Sequence, residues 1–438
     1  MSTTVEEVLP RYQQYPDLEL IANYRAGGFH PIHLGEVVGG RYRITHKLGY
    51  GAFATVWLVE DTTSKRCAAL KILTADASRV QPNQELEILK KIKEAEASPG
   101  SEHVVKLLDD FVVQGPNGTH QCIVTEVLGP SLGRLGVDLD GIYDDDRFPN
   151  NICKRMVPQI ARGIRFLHDS CGVLHGDLHL GNMLLFHPEI QTWSAQNFIK
   201  YLGKPQLLRL VQQDKVPISP TTKNRFPRYL VPISSPIPLL HLCLATPQSV
   251  HIKICDFGEA KAAAGFLDPS ISKSRNRVFN HLPAGDLRGR VPCIYAAPEQ
   301  LLHDSGPLSF STDIWALAVL FHMIFSGATG LFSSYYGIEK EVLREMVRTL
   351  GKFPEEWWSK YEARKEYFDE DGNLKLDSKK LAPISARFLK VYPGKDLSEA
   401  DVQQLEMLLR KMVVYDVRQR ITAQEVVDSI PASWLQAT

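Results

Sequence analysis

The stretch HGDLHLGN, residues 175–182, places a carboxylate and an amide five positions apart. Asp177 can accept or orient the proton of an attacking hydroxyl group, and Asn182 can bind a metal ion beside phosphate groups. A second acid, Asp256, stands in KICDFGEA after a β-type run. A carboxylate in this position suits a hard cation such as Mg²⁺. These residues predict phosphoryl transfer, with Asp177 as the base and with Asn182 and Asp256 as metal ligands.

A glycine-rich stretch, LGYGAFATV, lies between two β-type runs near the start of the chain. Gly49 and Gly51 let the backbone approach the phosphates of a nucleotide, which a Cβ would obstruct. Ala54 takes the third glycine position of such loops, which tolerates other residues. This stretch predicts a phosphate-binding turn.

A lysine and an acid follow the glycine-rich stretch at useful positions. Lys71 ends AALK on a predicted strand, and Glu85 lies early in the predicted helix NQELEILKKIKEAE. A lysine that holds the α- and β-phosphates needs a fixed anion to orient it, and Glu85 can supply one. Glu87 is the competing acid, but it falls on a different helix face. We therefore expect Lys71 and Glu85 to pair.

The elements that must position these residues change in type along the chain. From Tyr42 to Gly129 short β-type runs alternate with turns, and one helical pattern places Leu86, Leu89 and Ile92 on a single stripe. After Gly129 helical patterns dominate. A Pro-rich stretch between about 186 and 250 is too long for a simple connection, so we expect an insertion there.

The composition is that of a globular protein that works in a reducing compartment. Hydrophobic residues make up 44% of the 438-residue chain and charged residues 23%, with 50 basic and 50 acidic side chains. This balance gives no bias toward nucleic acid or acidic membranes. The seven cysteines are scattered without a CxxC pair, and no signal peptide or membrane span is visible. We expect a cytoplasmic or nuclear monomer without direct nucleic-acid or membrane contacts.

Taken together, these motifs resemble the protein kinase superfamily over roughly residues 42–432. AAPE (296–299), Asp313 in STDIWALA and Arg420 in DVRQRIT add to the resemblance, and Arg420 is placed to pair with Glu299. The resemblance implies an α+β, bilobal protein kinase fold that uses ATP and Mg²⁺. It divides the chain into an N-terminal extension, a small β-rich N-lobe with one main helix, a larger mostly helical C-lobe carrying the insertion, and a tail: 1–41, 42–128, 129–432 and 433–438.

The resemblance also implies which residues bind the adenine ring. The stretch TEVL (125–128) corresponds to the gatekeeper and hinge, which bind adenine through backbone groups. Apolar side chains would cover the two faces of the ring. The implied nucleotide-binding set is Leu48, Gly49, Gly51, Ala54, Val56, Ala69, Lys71, Thr125, Glu126, Leu128, Leu184 and Asp256.

Two positions of HGDLHLGN depart from the usual protein kinase loop, which carries Arg and Lys there. Gly176 removes an arginine that clamps phosphorylated activation segments in many kinases, which suggests activity without that phosphorylation. His179 replaces a lysine that stabilises charge on the moving phosphoryl group, and loss of one such stabiliser typically costs on the order of 10²- to 10³-fold in rate. Neither Val291 nor Pro292 supplies the usual hydroxyl. On this basis a His179→Lys change is expected to preserve or raise the rate.

Three functions follow from this pattern. The first is an active serine/threonine protein kinase, in which Asp177, Lys71, Glu85, His179 and Asn182 carry the reaction. The second is a nucleotide-binding pseudokinase or scaffold, suggested by His179 and Pro292. The third is transfer to small molecules, because aminoglycoside and choline phosphotransferases also write this loop as HGDLHxGN.

Within the kinases the chain is most similar to SR-protein kinases, and in LGKFPEEWWSKYEARKEYFDEDG to their fungal branch. That resemblance implies protein substrates, with Arg/Ser-rich RNA-processing proteins as the candidate class. Glu355, Glu356, Glu362, Glu366 and the stretch FDEDG (368–372) could form an acidic docking surface, or a solvated helix and turn. Basic residues in the activation segment oppose a basic substrate: Lys273, Arg275, Arg277, Arg288 and Arg290.

Overall fold

The computed structural model describes residues 12–79, 82–134, 148–214, 220–263, 291–302, 308–327, 330–332, 338–375 and 398–435, with the side chains of 134, 221 and 222 excepted. The five basic residues predicted in the activation segment lie outside these ranges. The chain forms two compact units. The first contains described residues of 1–90, 105–129 and 187–242, and the second contains the remainder.

A six-stranded antiparallel sheet forms the centre of the first unit, in the order β1-β2-β3-β4-β6-β5. Its inward-facing side chains, including Ile44, Val59, Leu70 and Val124, make one buried cluster. Strands β3 and β4 are buried along nearly their whole length, which explains why their sequences are apolar on both faces. The strands are β1 Val37–Val38, β2 Tyr42–Tyr50, β3 Ala54–Asp61, β4 Cys67–Leu73, β5 Leu107–Gly115 and β6 Gly118–Thr125.

Helix α1 (Ala75–Ser78) and the main helix α2 (Gln84–Glu94) follow β4. The predicted stripe of α2 is buried, since Leu86, Leu89 and Ile92 are each less than a tenth exposed. A sheet with one principal helix is what the sequence predicts for the smaller lobe, and this part of the fold prediction is confirmed.

The segment before β1, residues 12–36, lies along the first unit as a strap. Backbone hydrogen bonds join its Gly27 and Gly28 to Asn117 and Ala75. The side chain of Asn117 donates to Phe29 O at 2.7 Å. Glycine is required at 28, because a Cβ there would lie 1.9 Å from Asn23 O. The strap is therefore part of the first unit and not a loose leader.

Residues 187–242 also belong to the first unit, although the sequence analysis assigned the whole of 129–432 to the helical lobe. Trp193 and Phe198 pack with Leu58 in a second buried cluster, and Phe226 packs with Tyr24 of the strap in a third. The burial of apolar side chains thus assigns this segment to the first unit, although the residues on either side of it in the sequence belong to the second. The insertion forms α4 Ala195–Leu202, β9 Leu208–Arg209, α5 Pro220–Asn224, β10 Tyr229–Leu230 and α6 Ile237–Cys243.

A buried ion pair joins the strap to the sheet. Glu19 of the strap contacts Lys47 of β2, and neither side chain is more than 1% exposed. The hydroxyl of Tyr24 donates to Glu19 Oε1 at 2.7 Å. Burial lowers the pKa of Lys47, and the adjacent Glu19 opposes that shift. Lys47 immediately precedes the glycine-rich stretch, so this contact fixes the base of that turn.

The second unit is mostly helical around α8, in which every residue from Thr312 to Ser326 is buried. Such all-round burial explains its apolar sequence. Two short antiparallel pairs, β7 with β12 and β8 with β11, complete the unit. Its helices are α3 Asn150–Arg165, α7 Pro298–Leu301, α8 Phe310–Ser326, α9 Glu339–Leu350, α10 Glu355–Lys360, α11 Arg364–Tyr367, α12 Glu399–Met412, α13 Ala423–Ser429 and α14 Ala432–Leu435. Its strands are β7 Val173–Leu174, β8 Met183–Phe186, β11 His251–Ile254 and β12 Lys261–Ala262.

Breaking the Glu19–Lys47 pair is expected to destabilise the protein. Lys47→Met leaves a buried carboxylate without its partner, and such losses cost about 3–5 kcal/mol. The double variant Glu19→Gln, Lys47→Met removes both charges, and Gln can still accept from Tyr24. We expect the double variant to be more stable than Lys47→Met alone, as measured by urea unfolding. If Lys47→Met cost no more than an exposed pair does, about 0–1 kcal/mol, the strap would not depend on this contact.

Candidate active site

Lys71 and Glu85 form an ion pair in the first unit, as the sequence predicts. Lys71 Nζ donates to both carboxylate oxygens of Glu85, at 2.7 and 2.9 Å. The β3–β4 register places Lys71 opposite Val56. The amide of Leu86 donates to Asn83 Oδ1 at 3.0 Å, which caps the start of α2 and holds Glu85 in its first turn. Glu85, and not the competing Glu87, is therefore the acid that orients Lys71.

The predicted phosphate-binding turn is the β2–β3 connection. Gly51 N donates to Ala54 O at 2.9 Å, which closes the turn, and Leu48 packs against the cluster of Leu58. A Cβ built on Gly49 or Gly51 would meet no atom within 4 Å. Internal packing therefore does not require glycine at either position. The exposed backbone fits an external anion such as a phosphate, which needs close approach to the peptide groups.

The predicted adenine-binding residues of the first unit lie at the end of β6 and on the strands beside it. Ala69 of β4 pairs with Thr125 of β6. The Glu126 carboxylate accepts from Lys106 N at 2.9 Å, so its side chain holds the connection to β5. Leu128 is half-buried. Leu184 belongs to the second unit, on β8 opposite Lys253.

In the second unit, one carboxylate of α8 holds the loop that carries Asp177. Asp313 Oδ2 accepts from His175 N at 2.8 Å, and its Oδ1 accepts from Gly176 N at 2.9 Å. His168 Nε2 lies 2.8 Å from Oδ2. Asp313 is 1% exposed. A buried carboxylate requires such hydrogen bonds, so the loop backbone and Asp313 fix each other.

Gly176 occupies a backbone conformation that disfavours other residues. Its φ is +77°, and a Cβ there would lie 2.9 Å from Glu259 O. Many kinases carry arginine at this position. In this chain glycine avoids the backbone strain and the close contact with Glu259 O that a larger residue would cause.

Asp177 and Asn182 contact each other across the loop. Asn182 Nδ2 donates to Asp177 O at 2.9 Å and lies 3.3 Å from Asp177 Oδ2. Asp177 Oδ1 is buried and makes no hydrogen bond to the described residues. An unsatisfied buried acceptor is costly, which makes Oδ1 a site for an external donor such as a hydroxyl group.

The pairing of β8 with β11 brings the two predicted metal ligands to the same end of this ribbon. Ile254 is opposite Met183, and Cys255 N donates to Asn182 O at 3.0 Å. Asp256, the next residue, has φ +62°, a left-handed conformation that is strained outside glycine and clusters at functional sites. Because Asn182 uses its amide nitrogen for Asp177, its Oδ1 is left to bind a cation.

His179 lies inside the loop, half-buried. Its Nδ1 accepts from Gly181 N at 2.9 Å, and its Nε2 lies 3.5 Å from Asp177 Oδ2. A neighbour of His179 that the sequence did not predict is Tyr295, whose hydroxyl accepts from Leu180 N at 3.4 Å. Burial raises the pKa of Tyr295 to about 12, so the phenol remains protonated. The position of Tyr295 immediately before AAPE is the sequence signal that could have identified this residue.

A second predicted pair joins two helices of this unit. Arg420 donates to both carboxylate oxygens of Glu299, at 2.6 and 2.7 Å. Arg420 also donates to Val414 O at 2.7 Å and to Ser311 O at 3.1 Å. The guanidinium group thus ties α7 to the start of α8, and the predicted Glu299–Arg420 pair is confirmed.

The acidic residues of 355–371 are exposed but partly paired. Glu355, Glu356 and Glu366 lie 3.2–3.5 Å from Lys352, Lys360 and Lys340, respectively. Asp369 accepts from Asp371 N and Asn373 N, which fixes the turn of FDEDG. Exposed pairs contribute about 0–1 kcal/mol, so arginine side chains could displace these lysines.

Comparison with known proteins places these features in a family. The family model described as the protein kinase domain matches residues 42–193 and 243–430. The unmatched stretch, 194–242, lies inside the predicted insertion. Among the described residues, no helix is long and apolar enough to cross a membrane.

Several relatives with similar sequences are named as protein kinases. The chain is 29% identical over 424 residues to the serine/threonine-protein kinase SRPK of Physarum polycephalum, covering 92% of this chain and 88% of that protein. It is 40% identical to protein kinase dsk1 of Schizosaccharomyces pombe and 38% identical to SRSF protein kinase 3 of Homo sapiens. These two matches cover 37% of this chain and 30% and 28% of the relatives.

Replacing Gly176 by alanine is expected to destabilise the protein more than a matched change elsewhere. Gly40 has a similar φ, +70°, but a Cβ there meets nothing within 4 Å. Gly40→Ala therefore adds backbone strain, about 1–2 kcal/mol, whereas Gly176→Ala adds the contact with Glu259 O as well. Thermal unfolding of the two variants measures the difference. Equal losses would show that Glu259 yields readily.

Proposed function

Because this chain belongs to the protein kinase family, we propose that it is an active ATP-dependent serine/threonine kinase. It transfers the γ-phosphate of ATP to serine or threonine hydroxyl groups of protein substrates. The observation that carries the proposal is the Asp177 carboxylate, which Asn182 holds through Oδ2 and whose Oδ1 has no hydrogen bond within the described residues. A chain that had lost this chemistry would have no need to keep an oriented base with an unsatisfied acceptor.

The nucleotide-binding residues of the proposal belong mainly to the first unit. The backbone of Gly49 and Gly51 receives the phosphates, and Lys71, oriented by Glu85, donates to the α- and β-phosphates. Adenine binds to the backbone of 126–128. Leu48, Ala54, Val56, Ala69 and Thr125 of this unit contact the nucleotide.

Asn182 and Asp256 are the proposed ligands of Mg²⁺. Magnesium prefers oxygen donors and is commonly held by one or two protein ligands plus phosphate oxygens. Asn182 Oδ1 and the Asp256 carboxylate supply that kind of donor set. The ion would neutralise negative charge on the phosphates.

Asp177 is the proposed base. The substrate hydroxyl donates its hydrogen to Asp177 Oδ1, which aims the oxygen at the γ-phosphorus. A new O–P bond forms while the bond between the γ-phosphorus and the bridging oxygen breaks, and ADP leaves with that electron pair. The hydroxyl proton passes to Asp177. Asn182 keeps the carboxylate from rotating during this step.

We propose Arg/Ser-rich RNA-processing proteins as the substrate class. The relative from Homo sapiens is named an SRSF protein kinase, and that from Physarum polycephalum an SRPK. The exposed acids of 355–371 support the proposal, because a basic peptide can replace the weakly held Lys340, Lys352 and Lys360.

We further propose that the protein acts as a monomer in the cytoplasm or nucleus, without direct contact to nucleic acid or membranes. None of the seven cysteines, all of which lie in the described ranges, forms a disulfide, and five of them are buried. Thiols without disulfides fit a reducing compartment. The equal numbers of acidic and basic residues offer no general attraction to nucleic acid.

Asp177→Asn is expected to reduce phosphoryl transfer by orders of magnitude while ATP still binds. The amide cannot accept the hydroxyl proton, and the loss of a general base lowers rates by about 10²–10⁴-fold. The measurement is ³²P transfer from Mg-ATP to an Arg/Ser-repeat peptide, together with ATP affinity by calorimetry. A Lys106→Gln variant, changed on an exposed side chain, serves as the matched control.

The same assay separates the alternatives. Wild-type protein that binds ATP but phosphorylates neither proteins nor small alcohols would indicate a pseudokinase. Transfer to small alcohols alone would indicate a small-molecule phosphotransferase. An unaffected rate in Asp177→Asn would exclude the proposed base.

A further inference from the structure

The two ring nitrogens of His179 face different partners. Nδ1 accepts a hydrogen bond from Gly181 N at 2.9 Å, so the proton of the neutral ring resides on Nε2. Nε2 lies 3.5 Å from Asp177 Oδ2, an electrostatic contact that is longer than a hydrogen bond. Nε2 thus lies beside the carboxylate oxygen that Asn182 also contacts. One side chain therefore links the backbone of the loop to Asp177.

Gly181 is matched to the ring of His179. A Cβ at 181 would lie 2.6 Å from His179 Cε1 and 2.7 Å from Nδ1. Neither distance is compatible with an undisturbed ring. Gly181 itself is not among the residues with a positive φ. The glycine is therefore required by the histidine side chain and not by its own backbone.

We propose that His179 is the positioning residue of Asp177, and that His179 and Gly181 form one unit that replaces the usual lysine. The inference rests on the proposed function. The ring caps the turn at 180–182 through Nδ1 and orients the Asp177 carboxylate through Nε2–H. With Asn182 bonded to Oδ2 and His179 attracting the same oxygen electrostatically, Oδ1 is presented to the substrate hydroxyl.

This geometry reverses the expectation from sequence for His179→Lys. A lysine has three donors and no acceptor, so it cannot accept from Gly181 N. Its ammonium group can reach Asp177 but leaves the turn without its cap. Restoring the residue usual in kinases is therefore expected to lower the rate here.

Asparagine and glutamine separate the two tasks. In His179→Asn, Oδ1 stands near the position of Nδ1 and can accept from Gly181 N, but nothing replaces Nε2–H. In His179→Gln, the amide nitrogen reaches the position of Nε2, whereas the cap is lost. We compare kcat, the KM for ATP and the thermal midpoint of the wild type and the Asn, Gln and Lys variants, with Mg-ATP and an Arg/Ser-repeat peptide.

We expect His179→Asn to keep the wild-type thermal midpoint and to lose on the order of 100-fold in kcat, with an unchanged KM for ATP. His179→Gln should show a lower midpoint but a higher kcat than the Asn variant. His179→Lys should lower both. A wild-type kcat in either the Asn or the Lys variant would overturn the proposal, and so would a lower kcat in Gln than in Asn.

The steric match between His179 and Gly181 can be tested by thermal unfolding, which does not depend on catalysis. Gly181→Ala should lower the thermal midpoint in the wild type and have little effect in a His179→Ala background, where the ring is absent. Equal effects in both backgrounds would overturn the pairing of His179 with Gly181. If the wild type transferred no phosphate at all, the proposed function would fail, while this result would still show whether the two residues form one unit.

Discussion

The buried carboxylate of Asp313 is the constraint on which the phosphoryl-transfer loop depends. It comes from the most buried helix of the second unit and accepts both the His175 and the Gly176 amides. A rigid helix thereby sets the backbone from which Asp177 projects. The arrangement is self-reinforcing, because the carboxylate would be costly to bury without these donors and the amides would be costly without the carboxylate.

In the loop that Asp313 holds, glycine conformations and neutral hydrogen bonds take the place of the arginine and lysine charges that are usual in kinases. Gly176 accepts a left-handed backbone that brings its amide to Asp313. His175 takes an acceptor role toward Asp177 N, at 3.2 Å, and its Nε2–H donates to Cys255 O at 3.1 Å. His179 and Gly181 complete the loop. The loop HGDLHLGN itself contains no Arg or Lys, and it supplies preorganised donors and acceptors instead, which need no rearrangement during the reaction.

Local patterns and known motifs in the sequence were sufficient to predict several elements and two ion pairs. The strands, the buried stripe of α2, the Lys71–Glu85 pair and the Glu299–Arg420 pair follow from spacing and from the resemblance to kinases. The placement of 187–242 with the first unit could not be read in this way, because it depends on packing between residues far apart in the chain, such as Phe226 and Tyr24. The Glu19–Lys47 pair has the same origin.

Within the loop, sequence reasoning judged His179 by the charge it lacks. The structure adds the direction of each ring nitrogen and the space that Gly181 leaves for the ring, neither of which a residue type reveals. Tyr295 was missed for the same reason, since its hydroxyl meets a backbone amide more than a hundred positions away.

The most direct test of this account combines hydrogen exchange with turnover in Asp313→Asn. An amide keeps only one of the two carboxylate oxygens and replaces the other by an NH₂ donor, so the two loop N–H groups no longer each have their own acceptor. The account predicts faster exchange at the His175 and Gly176 amides and a fall in Mg-ATP-dependent phosphoryl transfer in the same sample, while Lys71 and Glu85 are untouched. Unchanged turnover despite faster exchange at both amides would contradict it.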